Sequence, residues 1–176
     1  MKTNIALIGF MGAGKTAVGE ALAQRLNRPL IEVDAVIEQM SGKSIPAIFH
    51  DDGEIRFREL EIEAVRKAAA GEKLVIACGG GVVLNTINID RLKNNGIVIN
   101  LTASPEIILK RTSGDKNARP LLAVPQPAAR IKELLKFRKP FYDRAADFTV
   151  STSKLAIDAV VEKIIDRLNN YEGFDL

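Results

Sequence analysis

Gly9-Phe10-Met11-Gly12-Ala13-Gly14-Lys15-Thr16 is the stretch that decides how this chain folds. It meets the phosphate-loop pattern G-x-x-x-x-G-K-[ST] at every fixed position: Gly9, Gly14, Lys15 and Thr16. Just upstream, Asn4-Ile5-Ala6-Leu7-Ile8 is a short apolar run that predicts a buried strand. Downstream, Val18, Leu22 and Leu26 recur four apart and predict an amphipathic helix. Glycines in such a loop let the backbone curl so that successive N–H groups face a phosphate. The helix that follows turns its positive dipole end towards the same anion. Lys15 would reach the β- and γ-phosphates, and the Thr16 hydroxyl would ligate Mg²⁺. Gly12, Ala13, Gly14, Lys15, Thr16 and Ala17 form the expected nucleotide cradle, with ATP and Mg²⁺ as cofactors. The alternative is a glycine turn that merely joins strand to helix. The complete motif in its full context disfavours that reading.

Beyond this unit the chain continues to alternate. Leu30 to Val33 predicts a strand ending at Asp34, then helices over 35–40, 45–49 and 54–70 follow, with turns between them. Leu74 to Cys78 is the third expected strand, running into Gly79-Gly80-Gly81. A helix over 88–94, a strand over 97–101 and a helix opened by Ser104-Pro105 come next. Residues 112–127 lack periodicity and are expected to form a loop, the candidate lid. A helix over 128–138 should break at Pro140. A short strand at 148–150 and a helix over 155–168 complete the pattern, with residues 169–176 expected to fray. The implied class is α/β: a three-layer α/β/α arrangement with a five-stranded parallel sheet, of the phosphate-loop NTPase type. Residues 1–176 are expected to be one domain, with substrate binding centred on 34–62. Ligands of such folds gather at the C-terminal ends of strands. The phosphate loop, Glu32, Asp34 and the triple glycine should therefore line one crevice.

Composition excludes more than it selects. Apolar residues make up 47% and charged ones 27%, ordinary for a globular protein. The net charge of +3 comes without the dense basic runs or stacking aromatics of a nucleic-acid surface, so no nucleic-acid partner is expected. No apolar run approaches membrane-spanning length, so no membrane association is expected. Cys78 is the only cysteine and His50 the only histidine, which removes an internal disulfide and a His-based metal site or triad. A reducing, cytoplasmic setting and a monomer are expected.

No [NT]-K-x-D motif is present, so a guanine-reading switch is disfavoured. The third strand ends in glycines where an ATPase motor usually carries an acid. A small-molecule kinase suits the size and the long loop, because a lid must keep water from the γ-phosphate. The chain resembles the shikimate kinases from about residue 4 to 155. The resemblance rests on GFMGAGKT at 9–16, Glu32-Val33-Asp34, Gly53-Glu54-x-x-Phe57-Arg58-x-x-Glu61 and Gly79-Gly80-Gly81-Val82-Val83. It rests also on Arg111-Thr112, Arg119-Pro120-Leu121-Leu122 and Arg138-x-x-x-Tyr142.

The resemblance implies ATP-dependent phosphorylation of the 3-hydroxyl of shikimate, a step towards the aromatic amino acids. It implies that Arg58 and Arg138 grip the shikimate carboxylate and that Gly79, Gly80 and Gly81 approach the same ligand. Asp34 would orient or deprotonate the attacking hydroxyl. Lys15 and Arg119, the latter in the lid, would counter charge on the transferring group. Arg111 would lie against the adenine, with Lys154 a weaker candidate nearby. Glu54 and Glu61 are read as supports for Arg58. Phe49, Phe57 and Leu121 could wall the ring, although core packing is the default for such residues. The family usually carries Asp where this chain has Glu32, which would hold Mg²⁺ through water. Taken singly, the arginines read as solvated surface residues; the pattern as a whole assigns them to a site. A gluconate or nucleoside-monophosphate kinase, or a non-catalytic ATP-binding regulator, remains as an alternative.

Overall fold

The computed structural model describes residues 1–113 and 120–176. Strand β1 (Asn4–Ile8) lies at the centre of a parallel sheet ordered β2-β3-β1-β4-β5. The others are β2 (Leu30–Glu32), β3 (Val75–Ala77), β4 (Gly96–Thr102) and β5 (Phe148–Ser151). The helices are α1 (Lys15–Leu26), α2 (Val33–Ser41), α3 (Ile45–Asp51) and α4 (Gly53–Ala69), then α5 (Thr86–Asn95), α6 (Pro105–Thr112), α7 (Pro127–Ala145) and α8 (Ile157–Asn169). The expected three-layer parallel α/β/α class is the one observed.

Alternation along each strand divides the apolar residues between two cores. Ile5, Leu7, Ile97, Ile99 and Leu101 face α1 and α8, packing on Val18, Leu22, Val160 and Ile164. Ala6, Ile8, Ile76 and Val98 face the other side, where α2 to α5 and α7 supply Ile37, Ile48, Leu60, Val65 and Ile131. Register then sets the site. Leu7 pairs with Ala77, and Ala77 with Glu32, so β1, β3 and β2 end level with one another. The three loops that leave them begin side by side.

Gly9 shows why the loop opens with glycine. Its φ is +146°, and a Cβ there would lie 2.3 Å from the Leu101 carbonyl oxygen. Gly14, at φ +99°, stands at the N-terminus of α1, which no side chain caps. The first helical bond of α1 outside its interior ladder is Val18 N to Gly14 O (2.9 Å), and the turn ahead of it is the end that favours an anion.

Four expectations about the elements need correction. β2 stops at Glu32, and Val33 and Asp34 open α2; Val33 is fully buried, and this packing overrides its β-branched preference. α7 does not break at Pro140. Pro140 and Lys136, whose carbonyl the missing N–H would have bonded, are both exposed, so water can satisfy the gap, while buried Arg138, Tyr142 and Ala145 hold the helix on. The loop after α6 is not structureless throughout, because Pro120–Leu122 form a 3₁₀ turn and Leu122 is buried. The C-terminal residues do not fray. Lys2 N donates to Gly173 O (2.8 Å), Asp175 N donates to Lys2 O (2.9 Å), and Arg28 lies 5.7 Å over the Phe174 ring. Among the described residues no helix is long and apolar enough to cross a membrane.

Candidate active site

The loops after β1, β2 and β3 enclose one cavity of about 440 Å³. Its lining includes Gly12, Gly14, Lys15, Thr16 and Ala17 from the phosphate loop, Glu32 and Asp34 from β2–α2, and Cys78, Gly79 and Gly80 after β3. The crevice expected from the strand ends is present. Lys15 Nζ donates to Gly9 O (2.7 Å) and Phe10 O (3.0 Å), which holds the ammonium against its own loop. Ala13 is fully buried beneath the loop, with its carbonyl accepting from Thr152 Oγ1 at 2.7 Å.

A smaller cavity of about 100 Å³ adjoins the first and shares Met11, Asp34, Gly79 and Gly80 with it. Phe49, Phe57 and Leu121 line it, so these apolar residues wall a site as well as the core. Arg58 and Arg138 reach it from α4 and α7. Arg58 is fixed from its own helix: Nη1 donates to Glu61 Oε1 (2.9 Å) and Nη2 to Glu54 Oε1 (3.1 Å). Arg138 is only 2% exposed, yet its Nε and Nη1 have no hydrogen-bond partner among the described residues, and its guanidinium lies 5.8 Å over the Phe10 ring. A buried guanidinium with donors left open is unfavourable unless an anion completes it.

The triple glycine is shaped by these side chains. A Cβ on Gly79 would sit 3.0 Å from Glu61 Oε2 and 3.1 Å from Asp34 Oδ1, and one on Gly81 would overlap the Arg58 guanidinium at 2.4 Å. Tyr142 donates its hydroxyl to the Gly80 carbonyl, one turn along α7 from Arg138. Burial pushes that phenol up to about 12, so it stays a donor at neutral pH. Asp34 faces the open cavity but is crowded by protein on its other sides. This desolvation raises its carboxyl above the usual range, against the pull of the Lys15 charge. Burial likewise raises Glu61, with the Arg58 charge the chief force opposing it.

Arg111 lines the first cavity and donates from Nη1 to Gly12 O (3.1 Å) and to Thr152 Oγ1 (3.0 Å). Lys154 is exposed and does not line either cavity. Arg119, with most of the expected lid, lies outside the described residues. Sequence reasoning passed over Met11 at the junction of the cavities and Thr152, which joins the phosphate loop to Arg111. Tyr142 was legible only as a motif position. Glu32 lines the first cavity with Thr16 and Asp34, and its buried Oε1 has no partner among the described residues. An oxygen-only set of this kind suits a hard cation that keeps several of its own waters.

A phosphate-loop cavity opening at one carboxylate into a pocket lined by two arginines is the layout of a small-molecule kinase on the phosphate-loop fold. Comparison with known proteins agrees: the shikimate kinase family model matches residues 11–169. The shikimate kinase of Pelotomaculum thermopropionicum is 51% identical over 168 residues, covering 96% of each chain. That of Caldanaerobacter subterraneus is 50% identical over 162 residues, covering 92% of this chain and 94% of the other. Among solved structures, the shikimate kinase from Acinetobacter baumannii in complex with shikimate superposes with a TM-score of 0.93 at 39% identity, over 98% of this chain and 96% of that one. The Aquifex aeolicus enzyme gives 0.82 at 35% identity, over 95% and 96%. The chain belongs to the shikimate kinase family, a family of kinases that use ATP as phosphate donor.

Proposed function

We propose that the chain transfers the γ-phosphoryl group of ATP to the 3-hydroxyl of shikimate. The observation that carries this reading is Arg138, a buried guanidinium with two open nitrogens, beside Arg58 in a pocket that meets the phosphate loop at Asp34. Two arginines there suit a carboxylate, which accepts planar, charge-assisted bonds.

Each residue then has a role. Gly12, Ala13, Gly14, Thr16 and Ala17 cradle the nucleotide phosphates, and Lys15 leaves its loop carbonyls to meet the β- and γ-oxygens. Arg58 and Arg138 clamp the acceptor carboxylate, with Gly79, Gly80 and Gly81 giving the ring close access. Asp34 accepts a hydrogen bond from the attacking hydroxyl and aligns it; its raised carboxyl makes it a better proton acceptor than a free aspartate. Phosphoryl transfer needs little covalent help, so alignment is the larger share. Thr16, and Glu32 through water, would hold Mg²⁺, which neutralises charge between the β- and γ-phosphates when bound. Arg119 would close over the phosphates, Arg111 would flank the base, and Lys154 has a peripheral part at most. Residues 34–62 form the acceptor-binding part of one domain, and the setting is a monomer in the cytoplasm, which suits the lone buried Cys78.

ADP release from Mg-ATP tests the reading, with shikimate, gluconate, AMP and no acceptor run in parallel. Turnover with shikimate alone is expected. Equal ADP release without any acceptor would identify an ATPase or regulator, and turnover with gluconate or AMP would reassign the pocket.

A further inference from the structure

A cavity of about 250 Å³ opens between the C-terminal end of β4 and helix α7, and it shares no lining residue with the donor and acceptor cavities. Its walls are apolar where Phe10, Ala103 and Leu135 face it. One wall is not. Asn100 is only 3% exposed, on the β4 face turned towards α7, and its Oδ1 has no hydrogen-bond partner among the described residues. A buried amide oxygen left open in a packed core is unusual, and the residue that carries it lines this cavity.

The rim carries charge. Lys139 is paired with Asp143, whereas Lys136 is exposed and makes no ion pair among the described residues. Among the described residues the cavity therefore combines apolar walls, a buried amide acceptor and, in Lys136, a cation without an ion pair at its rim. An apolar cavity of roughly 150 Å³ suffices for benzene, so this one accommodates a ring with substituents at both ends.

We propose that this cavity is a binding site for a small aromatic monocarboxylate that carries a hydroxyl or amino donor. The donor end meets Asn100 Oδ1, the ring packs on Phe10 and Leu135, and the carboxylate meets Lys136. Such an occupant touches two residues that support the acceptor pocket: Phe10, beneath the Arg138 guanidinium, and Tyr142, which holds Gly80. The site stands whether or not shikimate is the acceptor, because Asn100 and Lys136, which hold the two ends of the occupant, line neither the donor nor the acceptor cavity.

The test titrates 4-hydroxybenzoate into the ¹⁵N-labelled protein and follows backbone amide resonances. Saturable shifts at Asn100, Leu135 and Lys136, with Arg58 and Gly81 undisturbed or moving only as followers, are expected. Lys136→Glu, an exposed change that leaves the fold alone, should weaken binding about tenfold or more, the worth of a charge-assisted contact. In Asn100→Leu, 4-hydroxybenzoate and benzoate should bind alike, whereas the unaltered protein prefers the hydroxylated probe. No saturable shift at these amides overturns the proposal. So does binding that Lys136→Glu leaves unchanged, or shifts centred on Arg58 and Gly81.

Discussion

The Tyr142 hydroxyl donates to the Gly80 carbonyl, so the helix that carries Arg138 also pins the glycine loop facing it. Removing that hydroxyl should loosen one wall of the acceptor pocket and leave a buried carbonyl unpaired. Tyr142→Phe is expected to cost about 1–3 kcal/mol of stability and to raise the acceptor KM several-fold while the ATP KM barely moves. Thermal unfolding and a two-substrate kinetic grid measure both effects. An unchanged acceptor KM would reduce Tyr142 to a core residue.

Arg138 places in the interior, before any ligand arrives, a guanidinium with two nitrogens that have no partner among the described residues. Arg138→Met should leave the ligand-free protein at least as stable, because desolvation of the charge disappears with it. The acceptor KM should nevertheless rise roughly ten- to a hundredfold, the value of one or two charge-assisted bonds. Unfolding without ligand, compared with steady-state kinetics, separates the two. A large loss of stability with normal KM would make Arg138 structural.

Asp34 tests the same opposition with pH. Crowding by protein raises its carboxyl above the ordinary 3.8, so between that value and the raised one the folded protein holds a proton that the unfolded chain has released. Stability must fall as pH rises from that unfolded value through the raised one, and the cost persists at neutral pH. Asp34→Asn should therefore raise the Tm modestly at pH 7, by an amount that shrinks towards pH 4. Turnover should drop by roughly 10²–10⁴ if the carboxylate takes the proton, and by less if it only aligns the hydroxyl.

Two glycine substitutions should fail in different ways. At Gly81 a new Cβ meets the tip of Arg58, which can move aside only by loosening its ion pair with buried Glu61. Gly81→Ala should fold with a lowered Tm and lose acceptor affinity. At Gly9 it meets the Leu101 backbone at a φ that other residues avoid, so Gly9→Ala should fold poorly or not at all. Soluble yield and circular dichroism distinguish these outcomes before any assay.

The strands, the nucleotide cradle and the acid at position 34 were legible because each follows from local pattern: a buried run, a glycine turn, a helix start. Arg58 and Arg138 were not legible one by one. A charged residue on an amphipathic helix shows its burial only when α4 and α7 are packed, and only the ordered set of motifs singled them out. Pro140 misled for the converse reason: a local rule predicted a break that tertiary packing of Arg138 and Tyr142 prevents. The docked C-terminal residues escaped notice because aromatic contacts such as Phe148 with Tyr171 have no periodic signature. Thr152 was invisible in the same way, since its partners are a distant carbonyl and a distant guanidinium.

The sheet seats the helix after the phosphate loop and the arginine-bearing helices on opposite faces, with Phe10 and Met11 of the loop packed on the arginine side. The helix that follows the phosphate loop rests on α8 beneath one face, whereas Phe57, Ile48 and Tyr142, with the arginine-bearing helices, are rooted in the core of the other. A lineage of such proteins can therefore exchange the residues of one face and change what is phosphorylated without rebuilding the grip on the phosphate donor. Acceptor choice is in that sense a replaceable fitting on a fixed engine.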